Sequence, residues 1–176
     1  TGNGESTHWI MSTDFLLCIR DDFGKHTMLA ISVKQKKELQ IKRKVQLLKI
    51  EQAYWNARGI EWLLITEAEY DPKIATFFKL YSPWLNEKKC SQNLLDKAVQ
   101  VARSQSNSSL TSLLKELTHI IGDHHQAQVS LWQSVFYGKL PIDLRHSRWP
   151  HLPLQHISES DFDLLNPVTS RRSAWN

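Results

Sequence analysis

Three residues near the N-terminus have types and a spacing that suit chemistry on a phosphodiester: Asp14, Ser32 and Lys34. The stretch MLAISVKQKK begins as an apolar strand, but Ser32 interrupts the run and Lys34 follows two residues later. Side chains of a strand alternate between its two faces, so Ser32 and Lys34 share a face. Carboxylate and hydroxyl oxygens can bind magnesium, and a lysine can stabilise charge on a phosphate. The same residues are also consistent with a plain ion pair between Asp14 and Lys34 at a sheet edge.

Two predicted strands have to bring these residues together. Residues 8–20 and 26–34 are strand-like, and the intervening DDFGK has the composition of a tight hairpin loop. If the loop is centred near Gly24, the numbers of facing residues add up to about 48, which places Asp14 opposite Lys34. A shift of one residue in this register would move Asp14 to the other face, away from its two predicted neighbours.

The elements that follow the hairpin complete an α/β unit around a small mixed sheet. Apolar residues recur at helical spacing up to Gly59, a residue typical of helix ends. Pro72 is typical of a first helical turn. The sequence therefore predicts a helix over 41–58, a strand over 61–66 and a second helix from Asp71 towards Trp84.

The second half of the chain has a different pattern. From residue 92 onward helical periodicity replaces strand alternation, which predicts a domain boundary near residue 86. Three helices followed by YGKLPIDL, with its glycine turn and short β-like run, indicate a mostly α, winged-helix-like domain. The predicted organisation is an N-terminally incomplete nuclease-type core over 1–85, the winged-helix-like domain over 86–144 and an extended tail over 145–176.

Composition narrows the class of protein. The chain has 176 residues, of which 41% are hydrophobic, so it can build an ordinary globular core. No apolar run approaches the roughly 20 residues of a membrane helix, so we expect a soluble protein without a membrane partner. The two cysteines form no disulfide or zinc pattern, which predicts a reducing cytoplasm. The chain starts at Thr1 rather than at methionine and looks like a piece of a longer protein.

Positive charge is concentrated between Lys34 and Lys49, where seven basic residues accompany the single acid Glu38. The net charge of the whole chain is only +4. Such a run is often a solvated helix face, but it is also typical of a surface that binds nucleic-acid phosphates. We expect DNA contacts from five residues of this run: Lys36, Lys37, Lys42, Arg43 and Lys44.

Three segments, IMSTDFLL, LAISVK and KIEQAYWNARGIEWLLIT, resemble the TnsA family, the endonuclease subunits of heteromeric cut-and-paste transposons. The resemblance is most specific over residues 10–66 and implies a restriction-endonuclease-like fold. It implies that Asp14 binds a magnesium or manganese ion, that the backbone carbonyl of Val33 is a further metal ligand, and that Lys34 is catalytic.

Two departures from the family pattern concern the metal site. Ser32 stands where the family usually has glutamine, so this shorter ligand would reach a metal only through water. The family's essential glutamate lies on a helix well upstream of the STDF motif, in a region before Thr1, and Glu5 in its glycine-rich stretch is a poor substitute. Glu51 matches an acid of the family pattern and is a third candidate catalytic residue, or else a surface acid paired with Lys44 or Arg58.

The resemblance implies an endonuclease subunit that cleaves at the 5′ transposon ends in the bacterial, nucleoid-associated cytoplasm. Its partners would be the DNA of the transposon ends, a TnsB-like transposase that cuts and joins the 3′ ends, and a TnsC-like AAA ATPase. Without the upstream glutamate we expect the isolated chain to be inactive. The alternative is a non-catalytic DNA-binding or adaptor subunit on a decayed nuclease fold. A stand-alone restriction or junction-resolving nuclease is disfavoured by the segment AYWNARGIEWLLIT.

Overall fold

The computed structural model describes residues 11–20, 23–146 and 149–175, which belong to two compact units. The first, here called the sheet unit, comprises the chain up to Glu69 together with the C-terminal residues from Arg171. The second, the helical unit, comprises Tyr70–Ser170.

The sheet unit is built on three strands in the order β1, β2, β3. The first two strands are antiparallel and form a hairpin, whereas β2 and β3 are parallel and are joined through a helix, as parallel neighbours require. The elements are β1 (Phe15–Arg20), β2 (His26–Val33), a short 3-10 helix (Lys36–Gln40), α1 (Lys42–Asn56) and β3 (Glu61–Ile65). The predicted hairpin, helix and third strand are therefore present, and the 3-10 helix was not predicted.

The hairpin register differs from the predicted one by two residues. Phe15 pairs with Ile31, so the numbers of facing residues add up to 46 (15 + 31) rather than 48. Continued by one residue, this register sets Asp14 opposite Ser32 instead of Lys34. Because strand side chains alternate with a period of two, a two-residue shift keeps all three on the same face. The first strand also starts later than predicted, at Phe15, and residues 8–10 lie outside the described part of the chain.

Apolar residues of the sheet unit are buried on both faces of the sheet. Ala30 on β2, Leu48 on α1, and Trp62 and Leu64 on β3 form one buried cluster. The alternate residues of the same strands are buried as well: Leu29, Ile31, Leu63 and Ile65.

Helix α1 ends at Asn56, two residues before its predicted end. Gly59 follows in the left-handed backbone conformation, with φ of +67°, which glycine reaches at no steric cost.

The last described residues lie along the free edge of β3. The backbone N–H of Ala174 donates to the carbonyl of Leu64 at 2.8 Å, and the Ser173 hydroxyl accepts from the Leu64 N–H at 3.1 Å. Trp175 packs on Trp62 with ring centroids 5.6 Å apart. These contacts satisfy backbone groups that an edge strand would otherwise expose. The predicted tail over 145–176 thus belongs to two units: residues up to Ser170 are part of the helical unit, and residues from Arg171 are part of the sheet unit.

The helical unit contains five helices among its described residues. Each begins after a serine or aspartate whose side chain accepts a backbone N–H of the first turn, the usual N-cap arrangement. They are α2 (Pro72–Leu85), α3 (Gln92–Ser104), α4 (Leu110–Ile121), α5 (His124–Phe136) and α6 (Glu159–Leu164). Across the described residues of both units, no helix has the length and apolar character that crossing a bilayer demands.

The boundary between the units lies at residues 69 and 70, rather than near residue 86 as the sequence predicted. Helix α2 is the reason. Its buried residues Ile74, Phe77 and Tyr81 belong to the same apolar cluster as those of α3, α4 and α5. Their helical spacing was visible in the sequence, but the partner of that apolar face was not.

The winged-helix expectation is not confirmed. In the described part of residues 137–144, β pairing is limited to one isolated antiparallel bridge between Ile142 and His156. The apolar residues Leu140, Ile142 and Leu144 are buried in the helical core, which accounts for the alternation that resembled a wing. Leu154, in the predicted tail, is buried in the same core.

Candidate active site

The predicted site residues Asp14, Lys34 and Glu51 line one cleft of about 430 Å³ within the sheet unit. Asp14 comes from the segment before β1, Lys34 directly follows β2, and Glu51 lies in the middle of α1. The remaining lining residues are Met11, Ser12, Glu38, Lys44, Leu47 and Leu48. The cleft is therefore formed where the hairpin, the end of a buried strand and the crossover helix meet.

Asp14 and Lys34 are in direct contact at the end of β2. The Lys34 ammonium group donates to Asp14 Oδ2 at 2.6 Å and to the carbonyl of Val33 at 3.0 Å. The Val33 N–H donates to the same Asp14 oxygen at 2.7 Å. The ion pair of the simpler interpretation is thus present, and it holds the lysine against two oxygens that the family resemblance assigns to the metal.

The electrostatics of Asp14 follow from these contacts. Burial raises the pKa of its carboxyl group, but the hydrogen bonds from Lys34 and from the Val33 N–H more than offset that effect. The net pKa is lower than the ordinary value, so Asp14 is a carboxylate at neutral pH. An ionised oxygen ligand is what a hard divalent cation prefers.

Glu51 is nearly buried, with 7% of its surface exposed, and it contacts hydroxyl groups. The Ser32 hydroxyl donates to Glu51 Oε1 at 2.6 Å, and the Thr13 hydroxyl donates to the same oxygen at 2.8 Å. Among the described residues, Glu51 Oε2 accepts no hydrogen bond and no basic side chain forms an ion pair with Glu51. One carboxylate oxygen thus remains available in a largely dry position.

The surface ion pairs that were the alternative for Glu51 do not form in the described structure. Lys44 pairs instead with Glu38, which also belongs to the cleft wall. Arg58 stacks over the ring of Tyr54, 3.5 Å from its centroid, and donates to the Tyr54 carbonyl. Glu51 therefore faces the sheet rather than the solvent side of α1.

The five predicted DNA-binding residues are exposed, and they lie on the 3-10 helix and the first turn of α1, beside the cleft. The single acid of this segment, Glu38, forms its contacts within the same segment. Hydrogen bonds from Lys44 and from the Gln35 N–H lower the pKa of Glu38. Lys44 is accordingly shared between an intramolecular partner and any phosphate that the patch contacts.

Sequence reasoning missed two residues that contact this site, Thr13 and Trp55. The Trp55 indole N–H donates to Thr13 Oγ1 at 2.8 Å, and Thr13 in turn contacts Glu51. A signal was present, because Trp55 follows Glu51 by four residues and so shares its face of α1. Thr13 directly precedes Asp14, but nothing in the sequence indicated which way its hydroxyl points.

Comparison with known proteins finds a family match within the sheet unit. Residues 1–67 match the family described as TnsA-like endonuclease N terminal. The resemblance to the TnsA family is thereby confirmed for this segment. A region of 65 residues is 37% identical to the Transposon Tn7 transposition protein TnsA of Escherichia coli. That region is 37% of this chain and spans 23% of the length of the relative.

The extent of the TnsA-like match agrees with the division of the structure. It ends at residue 67, two residues before the sheet unit gives way to the helical unit at Glu69 and Tyr70. The cleft with Asp14, Lys34 and Glu51 lies wholly inside the matched segment. A TnsA-like endonuclease domain and the candidate active site are therefore the same part of the molecule.

Proposed function

We propose that this protein is the metal-dependent endonuclease subunit of a heteromeric transposase and that it cleaves DNA at the 5′ transposon ends. One observation carries the proposal: Asp14, Lys34 and Glu51 converge on a single cleft of a TnsA-like endonuclease domain. These three residues come from separate elements, so their meeting depends on the fold rather than on proximity in the chain.

The residues at the cleft fit a magnesium or manganese ion. Asp14 and Glu51 supply two carboxylates. The Val33 carbonyl is a further oxygen near Asp14, because the Lys34 ammonium group donates to both. Magnesium is typically held by one or two carboxylates and several waters, so a set of this size suffices. Among the described residues, no three His, Cys, Asp or Glu side chains are close enough together to hold one ion, so water would supply the remaining ligands. Ser32 contributes through Glu51.

Each residue then has a distinct role. The metal, when bound, activates a water molecule and neutralises charge on the phosphate. Asp14 and Glu51 would hold the cation at the cleft. Lys34 places its ammonium group at Asp14 Oδ2 and the Val33 carbonyl, where it would stabilise the negative charge that develops on the phosphate in the transition state. The patch from Lys36 to Lys44 contacts phosphates of the flanking DNA and positions the strand without reading its sequence.

The partners follow from the family alone. The relative from Escherichia coli is named a transposition protein, and it is similar to this chain over 65 residues. On that basis we assign this protein a TnsB-like transposase for the 3′ ends and a TnsC-like ATPase as a further partner.

The test of this function is metal binding at Asp14. Manganese titrated into the protein and into Asp14→Asn, followed by calorimetry, should bind the variant at least tenfold more weakly. Asp163→Asn, which changes an exposed aspartate of α6, is the matched control and should bind like the unchanged protein. Equal affinity in all three proteins, together with intact binding of transposon-end DNA, would instead support the non-catalytic adaptor.

A further inference from the structure

Four side chains beside the cleft form one continuous polar chain. The Trp55 indole N–H donates to Thr13 Oγ1 at 2.8 Å, and the Thr13 hydroxyl donates to Glu51 Oε1 at 2.8 Å. The Ser32 hydroxyl donates to the same Glu51 oxygen at 2.6 Å. Ser32 is 1% exposed and Glu51 is 7% exposed, so water competes little for these bonds.

The direction of every bond in this chain is fixed by chemistry. An indole nitrogen is a donor only, so Thr13 must accept from Trp55 with its oxygen. The Thr13 hydroxyl hydrogen is then free to point at Glu51, whose oxygen acts as acceptor for both hydroxyls. Two donors on Oε1 leave Oε2 as the oxygen that can bind another group.

The chain also links the two candidate metal ligands to each other. Thr13 is the neighbour of Asp14, and Trp55 lies one helical turn after Glu51 on α1. The bond from Thr13 to Glu51 therefore ties the segment that carries Asp14 to the helix that carries Glu51. Ser32, on β2, adds the sheet as a third anchor for the same carboxylate.

We propose that Thr13 and Trp55 are positioning residues that hold the Glu51 carboxylate at a fixed separation from Asp14, with Ser32 acting as a second hydroxyl anchor. This inference rests on the proposed function and extends it to residues outside the TnsA-like catalytic set. It also gives Ser32 a role through Glu51, to which its hydroxyl donates. Groups that orient metal ligands in this way typically change metal affinity by about 10- to 100-fold when they are removed.

A purely structural role would give a different result. Buried hydrogen bonds of this kind contribute to folding, and their loss lowers the free energy of unfolding whether or not a metal binds. Metal affinity per folded molecule is therefore the discriminating readout. Thr13→Val removes the hydroxyl at nearly constant shape, Thr13→Ser retains it, and Trp55→Phe removes only the indole donor and some ring volume.

The experiment is a manganese titration of the protein and its variants at a temperature where each is folded by circular dichroism. Manganese affinity should fall about 10- to 100-fold in Thr13→Val, fall less in Trp55→Phe, and return to within about threefold in Thr13→Ser. Thr76→Val is the matched control, because the Thr76 hydroxyl bonds only within α2. If Thr13→Val does not fold, Trp55→Phe and Thr13→Ser still provide the comparison.

The outcomes separate this inference from the proposed function. Asp14→Asn is measured in the same series. Weak binding by Asp14→Asn with unchanged binding by Thr13→Val and Trp55→Phe would overturn the positioning role alone. Unchanged binding by Asp14→Asn would overturn the metal site and the positioning role together. Weak binding by Thr13→Val that Thr13→Ser does not rescue would also contradict the role assigned to the hydroxyl.

Discussion

Gln133 of the helical unit and Glu51 of the sheet unit are both buried polar residues, but their hydrogen bonds go to different kinds of group. In the helical unit, Gln133 is fully buried, and its amide bonds to the backbone of the loop that ends at Cys90. The hydroxyl of Ser134 likewise donates to backbone carbonyls. In the sheet unit, Glu51 and Ser32 bond to each other through their side chains, and one oxygen of Glu51 remains available.

The two buried residues differ in what their hydrogen bonds accomplish. A buried side chain that completes backbone hydrogen bonds satisfies groups that folding has already removed from water. A carboxylate held by hydroxyls satisfies no backbone group, and burying it costs free energy that an apolar residue would avoid. The binding role proposed for Glu51 would account for a buried carboxylate at this position.

The largest effect on the function of the sheet unit is expected from removing the lysine at the cleft. Lys34→Ala should lower the rate of magnesium-dependent nicking at transposon ends by about 10²- to 10³-fold, the usual effect of losing one transition-state donor. Affinity for the ends should stay within about twofold, since the lysine acts mainly in the transition state. Nicking of a plasmid that carries one transposon end, by the full-length protein with the partner transposase present, measures the first quantity, and gel shift measures the second.

Lys79→Ala, which changes an exposed lysine of α2, is the control for this change and should leave both quantities unaltered. A parallel fall in nicking and in end binding for Lys34→Ala would make Lys34 a DNA-binding residue instead of a catalytic one.

The helical unit should respond in stability rather than in activity. Gln133→Leu removes the amide that accepts from the Cys90 N–H at 2.8 Å and donates to the carbonyls of Glu87 and Lys88, so these backbone groups have no partner. We expect the free energy of unfolding to fall by about 2–3 kcal/mol. Urea denaturation measures this change, and manganese affinity of the folded protein should stay constant.

Gln126→Leu replaces an exposed glutamine on the same helix and should change stability by less than about 0.5 kcal/mol. If Gln133→Leu lowered manganese affinity while Gln126→Leu did not, the division of roles between the two units would be wrong.

The basic patch offers a finer test of which unit contacts DNA. Replacing Lys42, Arg43 and Lys44 together by glutamine should weaken binding to all sequences alike. The slope of log affinity against log salt should become shallower by up to about 0.9 for each DNA phosphate that the variant no longer neutralises. Because Lys44 already pairs with Glu38, the total change is expected to fall short of three phosphates.

Replacing Lys73, Lys79 and Lys115 of the helical unit by glutamine gives a variant with the same reduction in charge. An unchanged salt slope for the first triple variant, or equal changes for both, would assign the sheet unit's patch to solvent and not to DNA.

The sequence predicted local elements well wherever short-range chemistry decides them. Gly59 follows closely on the end of α1, Asp71 and Pro72 begin α2, and the apolar run from Met28 to Ile31 lies in β2. The match of residues 1–67 to TnsA-like endonucleases likewise confirms the family that the motifs indicated.

Pairings between distant residues were less accessible. The hairpin register was wrong by two residues, because composition places a loop without fixing which residues face each other across it. Asp14, Ser32 and Lys34 still share a face only because the register error was an even number of residues. The predicted domain boundary lies some 16 residues too late in the chain (86 − 70). The reason is that the sequence of a helix shows its apolar face but not the element against which that face packs.

The sequence by itself determined that this chain carries a TnsA-like endonuclease segment, with Asp14, Lys34 and Glu51 as candidate site residues. Only the tertiary structure decided that Glu51 lies against Ser32 and Thr13, and that Trp55 reaches Thr13 from the next turn of α1. The physical reason is that hydrogen bonds between side chains depend on distances of a few tenths of an ångström. Those distances are set by how a helix packs on a sheet, whereas residue types and spacing set only which face each side chain occupies.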